Sequence, residues 1–112
     1  QVLDDEKHPD GENALTSAAS LYALYSPENK TLKPVGEFNE GRIILNGAHV
    51  EHWLNGQKVV EAELGSEDWN TRIANSKFKD WERFSKMPSG HIALQDHGDE
   101  VWYRNIRIKQ LP

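Results

Sequence analysis

One stretch near the end of the chain decides the fold: Gly90-His-Ile-Ala-Leu-Gln-Asp-His-Gly-Asp-Glu-Val-Trp-Tyr-Arg-Asn-Ile-Arg-Ile-Lys-Gln-Leu111. Apolar and polar side chains alternate along both of its halves, and this period of two residues is typical of half-buried strands. The halves meet at His97-Gly98-Asp99-Glu100, a sequence that favours a turn. The stretch therefore predicts a β-hairpin whose first strand delivers His97 to the turn.

Arg104 is the exception within the second strand of this hairpin. Alternation places it on one face with Trp102, Ile106 and Ile108. A guanidinium among apolar side chains costs several kcal/mol unless it is paired and hydrogen-bonded. We therefore expect a ligand or a carboxylate opposite Arg104, and Asp4 is the natural carboxylate.

Composition limits the architecture and the partners. The chain has 112 residues, 37% of them hydrophobic, which allows one domain with a thin core. Its net charge of -5 argues against nucleic acid and anionic membranes, because both select basic surfaces. Cysteine is absent, which excludes disulfides and thiolate chemistry. No apolar run reaches the roughly 18 residues of a membrane-spanning helix.

The start of the chain looks like the end of a strand. Gln1-Val-Leu-Asp-Asp5 has a strand-like apolar centre, and the chain begins at Gln1 rather than at Met. We therefore expect the strand to begin before residue 1. On this interpretation the chain is a fragment or a processed product, and any targeting segment lies outside it.

The middle of the chain predicts a meander. Residues 6–16 form a surface loop, and Ala18 to Tyr25 is apolar enough for a short strand. Three further strands follow at 41–45, 48–55 and 57–64, joined by turns at Asn46-Gly47 and at Asn55-Gly56. On the middle strand, one face carries His49, Glu51 and Trp53 and the other carries Val50, His52 and Leu54.

One helical segment interrupts the strands. Ser66 can cap its start, Glu67 and Asp68 suit the first turn, and Trp69 and Ile73 line one side. A short helical insertion near 66–79 is therefore expected, packed on a sheet edge. The fold class predicted from these elements is an all-β antiparallel sandwich with one helical insertion.

Most catalytic motifs are missing. The chain has no nucleophile elbow, no phosphate-binding glycine loop and no His-Glu-x-x-His motif. His49 and His52 lie on opposite faces of a strand and cannot share one metal ion. A pair of His49 with Glu51 is sterically possible, although an exposed polar strand face explains it better. Trp53, on the less apolar face, suits either packing or sugar stacking.

The last stretch also resembles a known family. Residues 90–98 and 101–108 resemble the C-terminal signature of the 3-keto-disaccharide hydrolase domain family, and the match continues at Gln1 to Asp5, at His8-Pro-Asp10 and at 46–61. The resemblance covers nearly the whole chain but only the C-terminal half of the family domain. It implies that residues 1–112 are the C-terminal part of a concanavalin-like jelly roll, with the N-terminal half as partner, in a periplasmic or secreted protein.

The family's activity would be cleavage of the glycosidic bond in 3-keto-disaccharides or 3-keto-glycosides. A ketone at C3 acidifies the proton on C2, so a base can remove it and the substituent on C1 can leave before water adds. This chemistry does not need the paired carboxylates of ordinary glycosidases. It needs a base, and a cationic or Lewis-acidic group at the ketone oxygen.

The resemblance assigns roles to particular residues. His97 or Asp4 is the expected base, and Arg104 the expected enolate stabiliser or substrate clamp. The expected contributors to sugar binding are Gln1, Gln95, His52, Trp53 and His8. No cofactor is certain, although a divalent metal could serve at the ketone oxygen. Taken without the resemblance, His97 is equally explained as a turn histidine that bonds its own backbone, and Arg104 as half of a structural salt bridge.

A second class of function remains open. Jelly-roll sandwiches also bind glycans without cleaving them, so the alternative is a non-catalytic carbohydrate-binding or adhesion module.

Overall fold

The computed structural model describes residues 1–112 and centres on a three-stranded antiparallel sheet. Its strands are β1 (Gly41–Asn46), β2 (His49–Leu54) and β3 (Gln57–Glu63), in the order β1-β2-β3. The other regular elements are a short 3-10 helix at Pro9–Glu12 and one helix, α1 (Glu67–Ala74). The predicted meander and the predicted helical insertion are confirmed.

The two hairpin turns differ. Asn55 and Gly56 both have positive φ, 50° and 82°, so this turn is the predicted Asn-Gly type I′. Asn46, in contrast, pairs with His49 as part of the ladder, and only Gly47 has a positive φ. The loop is therefore Gly47-Ala48, and the prediction of a turn at Asn46-Gly47 is wrong by one residue.

A β-bulge interrupts the pairing of β2 with β3. His52 pairs with residue 60 and Trp53 pairs with Lys58, which leaves Val59 as the extra residue. Val59 and its neighbour at 60 are both buried, although they are consecutive. As a consequence Lys58 and Glu61, three residues apart, lie on the same face, where the Lys58 Nζ donates to the Glu61 Oε2 at 2.7 Å.

The core lies on one face of the sheet. That face carries Val50 and Leu54 of β2, and the loop at 21–25 and α1 cover it. The nine buried residues of the cluster are Leu24, Tyr25, Val50, Leu54, Val59, Val60, Ala62, Trp69 and Phe78. The core is therefore as thin as the composition predicts.

Side-chain contacts fix α1 to the core. The Ser66 Oγ accepts from the Trp69 N–H at 3.1 Å, as predicted for the cap, and the Trp69 ring stacks on Tyr25 at 5.9 Å between centroids. The helix ends at Ala74, short of the predicted 79. The Ser76 Oγ donates to a helix carbonyl and accepts a backbone N–H, which competes with continuation of the helix.

Two predicted strands are absent near the start of the chain. Ala19 and Ala23 have positive φ of 68° and 63°, so the segment 18–25 turns and keeps only an isolated bridge, Leu21 to Tyr25. An L-residue at positive φ cannot continue a strand. Residues 1–4 belong to no strand either, and the backbone of Gln1 is hydrogen-bonded to Ala19 and Ser20 instead.

The predicted hairpin at 90–111 is also not formed. No backbone–backbone hydrogen bond involves residues 88–112, and no strand is assigned there. One contact joins the two halves, in which the Tyr103 hydroxyl donates to the Gln95 carbonyl at 2.8 Å. Alternation specifies a strand-like segment but not the strand with which it pairs.

No helix of the chain combines the length and the apolar character that crossing a bilayer requires.

The first testable prediction concerns Tyr25. Burial, together with the hydrogen bond that its hydroxyl donates to Asp68 at 2.7 Å, raises the pKa of Tyr25 to about 12. An unfolded tyrosine loses its proton near pH 10, so the free energy of unfolding should decline as the pH rises above about 10. Thermal melts of the full-length protein at a series of pH values above and below 10 measure this decline. In Tyr25→Phe this contribution to the decline should be absent, and an equally steep decline there would contradict the assignment.

Candidate functional site

An ion pair organises the N-terminal segment. The Lys30 Nζ lies 2.6 Å from the Asp5 Oδ2 and also donates to the Ser17 Oγ at 2.7 Å. The second carboxylate oxygen of Asp5 accepts from the Ala18 N–H at 2.7 Å. Both charged side chains are about four-fifths buried, at 20% and 18% exposure. Asp5 thus joins residues 17–18 and Lys30 to the start of the chain.

The short helix Pro9–Glu12 presents His8 and Asp10. His8 caps it, because its Nδ1 accepts from the Asp10 N–H at 3.1 Å, and neutral His8 therefore carries its proton on Nε2. Gly11 rests against the backbone of Asp5, where a Cβ would lie 2.2 Å from the carbonyl oxygen. The ion-paired segment is therefore the surface that positions this turn.

His97 meets this turn from the other end of the chain. Its ring lies edge-on to the His8 ring, with centroids 4.5 Å apart at 70°. Its Nε2 lies 3.6 Å from the Asp10 Oδ2, and the Tyr22 hydroxyl approaches the same oxygen at 3.5 Å. Two imidazoles and one carboxylate thus converge. We call His8, Asp10 and His97 the histidine cluster.

The sequence predicts two members of the histidine cluster, His97 and His8, but not the third. Asp10 enters the sequence pattern only within the His8-Pro-Asp10 match. The available signal was its spacing, because a residue two positions after a capping histidine shares the same turn.

Gln1 and Gln95 are brought together as well. The Gln95 Nε2 donates to the Gln1 Oε1 at 2.6 Å, and the Val2 N–H donates to the Gln95 Oε1 at 2.8 Å. The Gln1 Nε2 is buried and has no protein partner. These bonds clasp the segment that carries His97 to the start of the chain.

His52 lies on the same side of the molecule as Gln1. Its Nδ1–H donates to the Ala19 carbonyl at 2.9 Å, and the Ala19 N–H donates to the Gln1 carbonyl at 2.8 Å. Burial lowers the pKa of His52, so its imidazole is neutral near pH 7. The proton on Nδ1 leaves the Nε2 lone pair as its acceptor.

Two candidates, Asp4 and Trp53, lie outside the histidine cluster and make different contacts. The Asp4 Oδ1 accepts from the N–H groups of Glu6 and Lys7, at 3.0 and 3.3 Å, which shapes the turn before His8. Trp53 projects from β2 on the face opposite His52, where its Nε1–H donates to the Glu51 carboxylate. Trp53 therefore does not join the histidine cluster.

The predicted pairing of Arg104 with the Asp4 carboxylate is wrong, whereas the alternative, a ligand opposite Arg104, stays a prediction. Arg104 is exposed, makes no ion pair, and stacks over the Phe38 ring at 3.8 Å. Its neighbours on the supposed inner face are exposed too, with Trp102 at 72% and Ile108 at 76%. Since the guanidinium stays in water, it needs no carboxylate opposite it.

Comparison with known proteins identifies the family of the chain. The family described as "3-keto-alpha-glucoside-1,2-lyase-like domain" matches residues 1–109. The chain belongs to this family. A relative from Bacteroides thetaiotaomicron, named 3-keto-disaccharide hydrolase, is 36% identical over 99% of this chain. The chain spans 43% of that relative's length.

A solved structure is also similar. A protein from Parabacteroides distasonis, described as a candidate glycosyl hydrolase, is 37% identical and superposes with a TM-score of 0.57. The superposition covers 60% of this chain and 31% of that one.

The second testable prediction concerns Gly11. Replacing it with Ala forces a Cβ into the Asp5 backbone, so Gly11→Ala should lower the free energy of unfolding by about 1–3 kcal/mol. Gly41→Ala is the matched control, since a Cβ there meets nothing within 4 Å. Thermal unfolding of both variants in the full-length protein makes the comparison, and equal melting temperatures would contradict the close approach.

Proposed function

We propose that the protein cleaves the glycosidic bond of 3-keto-disaccharides or 3-keto-glycosides. Family membership supports the substrate class, and the name of the Bacteroides relative supports hydrolysis. The observation that carries the proposal is the histidine cluster, in which His8 and Asp10 meet His97 from the opposite end of the chain. Chemistry at a carbon next to a ketone needs such a base and a hydrogen-bond donor close together.

The first step is removal of the proton on C2. We assign the base to His97, because its ring lies against the His8 ring and the Asp10 Oδ2, 3.6 Å from its Nε2, can orient the imidazole. His8 carries a proton on Nε2 when neutral and can donate it in a hydrogen bond to the C3 oxygen as negative charge develops. Arg104, exposed over Phe38, suits a substrate clamp better than an enolate stabiliser.

The remaining steps balance the reaction. The enolate collapses to re-form the C3 ketone, a C1=C2 double bond forms, and the C1–O bond breaks. The departing oxygen takes a proton and leaves as an alcohol. Water then adds, with its hydroxyl on C1 and a proton on C2, which yields the free 3-keto sugar. Elimination corresponds to the lyase in the family description, and the addition of water completes a hydrolysis.

Amide and imidazole groups beside the histidine cluster suit sugar hydroxyls. The buried Gln1 Nε2 lacks a protein partner, and a buried donor without a partner is costly unless something fills the position. A sugar hydroxyl is such an acceptor. Gln95 would orient Gln1, and the neutral His52 offers an acceptor on Nε2.

The proposal includes completion of the fold by further strands. Residues 88–112 make no backbone–backbone hydrogen bonds, and apolar side chains along them are exposed, among them Ile92 at 77% and Ile106 at 60%. The chain also covers less than half of its relative. We infer that strands of the N-terminal half of the family domain pair with this segment, which would give a concanavalin-like jelly roll.

The third testable prediction separates the roles of His97 and Arg104. In the full-length protein, His97→Ala should reduce turnover of a 3-keto-disaccharide by about 100-fold or more. The free energy of unfolding should change by no more than roughly 1 kcal/mol. Arg104→Ala should act on substrate binding, because the guanidinium is assigned to a substrate clamp beside Phe38. Its effect should appear in KM rather than in kcat. Normal turnover by His97→Ala would remove it as the base.

The parent disaccharide serves as the control substrate, because it lacks the ketone and should not be cleaved. Release of a 3-keto sugar from the 3-keto-disaccharide, and no cleavage of the parent disaccharide, would support the proposed activity. Saturable binding of either sugar without release would instead identify a non-catalytic carbohydrate-binding module.

The fourth testable prediction concerns completion of the fold. Residues 1–112 expressed alone should lack a cooperative thermal transition, because the peptide groups and apolar side chains of 90–111 stay unpaired in water. Near-ultraviolet circular dichroism on heating, with the mass measured by light scattering, makes the test. A cooperative transition in a demonstrated monomer would show that no further strands are needed.

A further inference from the structure

The outer face of the meander gathers a second group of titratable side chains. His49 and Glu51 lie two residues apart on β2 and so share a face, and Glu61 of β3 pairs directly with Glu51. The His49 Nε2 lies 3.1 Å from the Glu51 Oε1 and 3.4 Å from the Glu61 Oε1. All three ligand atoms lie within 4.8 Å of one another. This group is on the strand face opposite His52.

We propose that His49, Glu51 and Glu61 bind a divalent transition-metal ion such as Zn²⁺. In a tetrahedral zinc site with bonds of about 2.0–2.2 Å, ligand atoms lie roughly 3.4 Å apart. The distances from the His49 Nε2 to both carboxylate oxygens already match that spacing. One imidazole and two carboxylates are also a ligand set that zinc accepts, and they leave a fourth position open to solvent.

The atoms of these ligands that do not face the site have partners of their own. The second oxygen of Glu51 accepts from the Trp53 Nε1, and the Glu63 Oε2 lies 3.4 Å from the His49 Nδ1. A carboxylate at the far nitrogen fixes the proton on Nδ1 and frees Nε2 for the metal. Such outer contacts orient ligands in metal sites.

Lys58 is the local competitor for the metal. Its Nζ lies 2.7 Å from the Glu61 Oε2 and 4.0 Å from the Glu51 Oε1, so a cation already neutralises part of the negative charge. The side chain is 37% exposed and long, and it can withdraw into water when a metal binds. The ammonium therefore lowers the metal affinity without closing the site.

The site joins two strands by their side chains. His49 and Glu51 belong to β2 and Glu61 belongs to β3, so a bound ion links the strands across the bulged part of the ladder. Metal that binds only the folded protein should raise the melting temperature. This role does not depend on the activity proposed for the histidine cluster.

The fifth testable prediction uses zinc itself as the probe. The full-length protein should bind one Zn²⁺ at this site by titration calorimetry, with a change in tryptophan fluorescence because Trp53 bonds Glu51. His49→Ala and Glu61→Gln should each weaken binding by at least about tenfold, and Glu63→Gln by about 10-fold through its effect on His49. Lys58→Met should strengthen binding, because the competing cation is gone.

Controls make each outcome decisive. Glu67→Gln, at an exposed position of α1, should leave zinc affinity unchanged, and thermal melts without metal show whether each variant is folded. Absence of zinc binding by the wild-type protein overturns the proposal, and so does equal affinity in His49→Ala, which would place the ion elsewhere. A result against the zinc site would not bear on the turnover of 3-keto-disaccharides, so the two proposals are tested separately.

Discussion

The largely buried ion pair between Lys30 and Asp5 is the contact on which the histidine cluster depends. A charge so far removed from water needs several partners, and Lys30 has two besides the carboxylate: the Ser17 Oγ and the Ala18 carbonyl. The backbone of Asp5 packs against Gly11, and Gly11 lies within the turn that carries His8 and Asp10. The loops are irregular, yet their polar groups are fixed to one another. Paired charge, rather than a ladder of backbone hydrogen bonds, joins these loops.

The meander and the helix start could be predicted because their signals are local. Asn-Gly turns, alternation and a capping serine each act within a few residues, and the sheet and α1 follow them. The predictions of strands at 18–25 and 90–111 are wrong for a different reason. Their composition favours strands, but whether a strand forms depends on a distant partner, and at Ala19 and Ala23 the chain turns with positive φ instead. Local preference does not encode that choice.

The same limit applies to the candidate site. Alternation placed Gln95 and His97 on one segment, and resemblance added Gln1 and His8, all of which lie close to one another in the structure. Asp10 is not predicted, since its spacing from His8 indicates a shared turn but not that His97 lies beside its carboxylate. Arg104 was misjudged because alternation tells which residues share a face and not which face is covered. Burial is decided by the whole fold.

The β-bulge at Val59 explains how one strand pair can carry two different surfaces. Strict alternation counted from Glu61 would turn Lys58 toward the core and Val59 toward water. Burying an unpaired ammonium costs far more than the roughly 1 kcal/mol of a displaced ladder hydrogen bond, so the bulge is the favoured solution. It keeps Val59 at 3% exposure and brings Lys58 beside Glu61 and Glu51. The bulge that keeps Val59 in the core is thus also the feature that places the charge of Lys58 on the outer face.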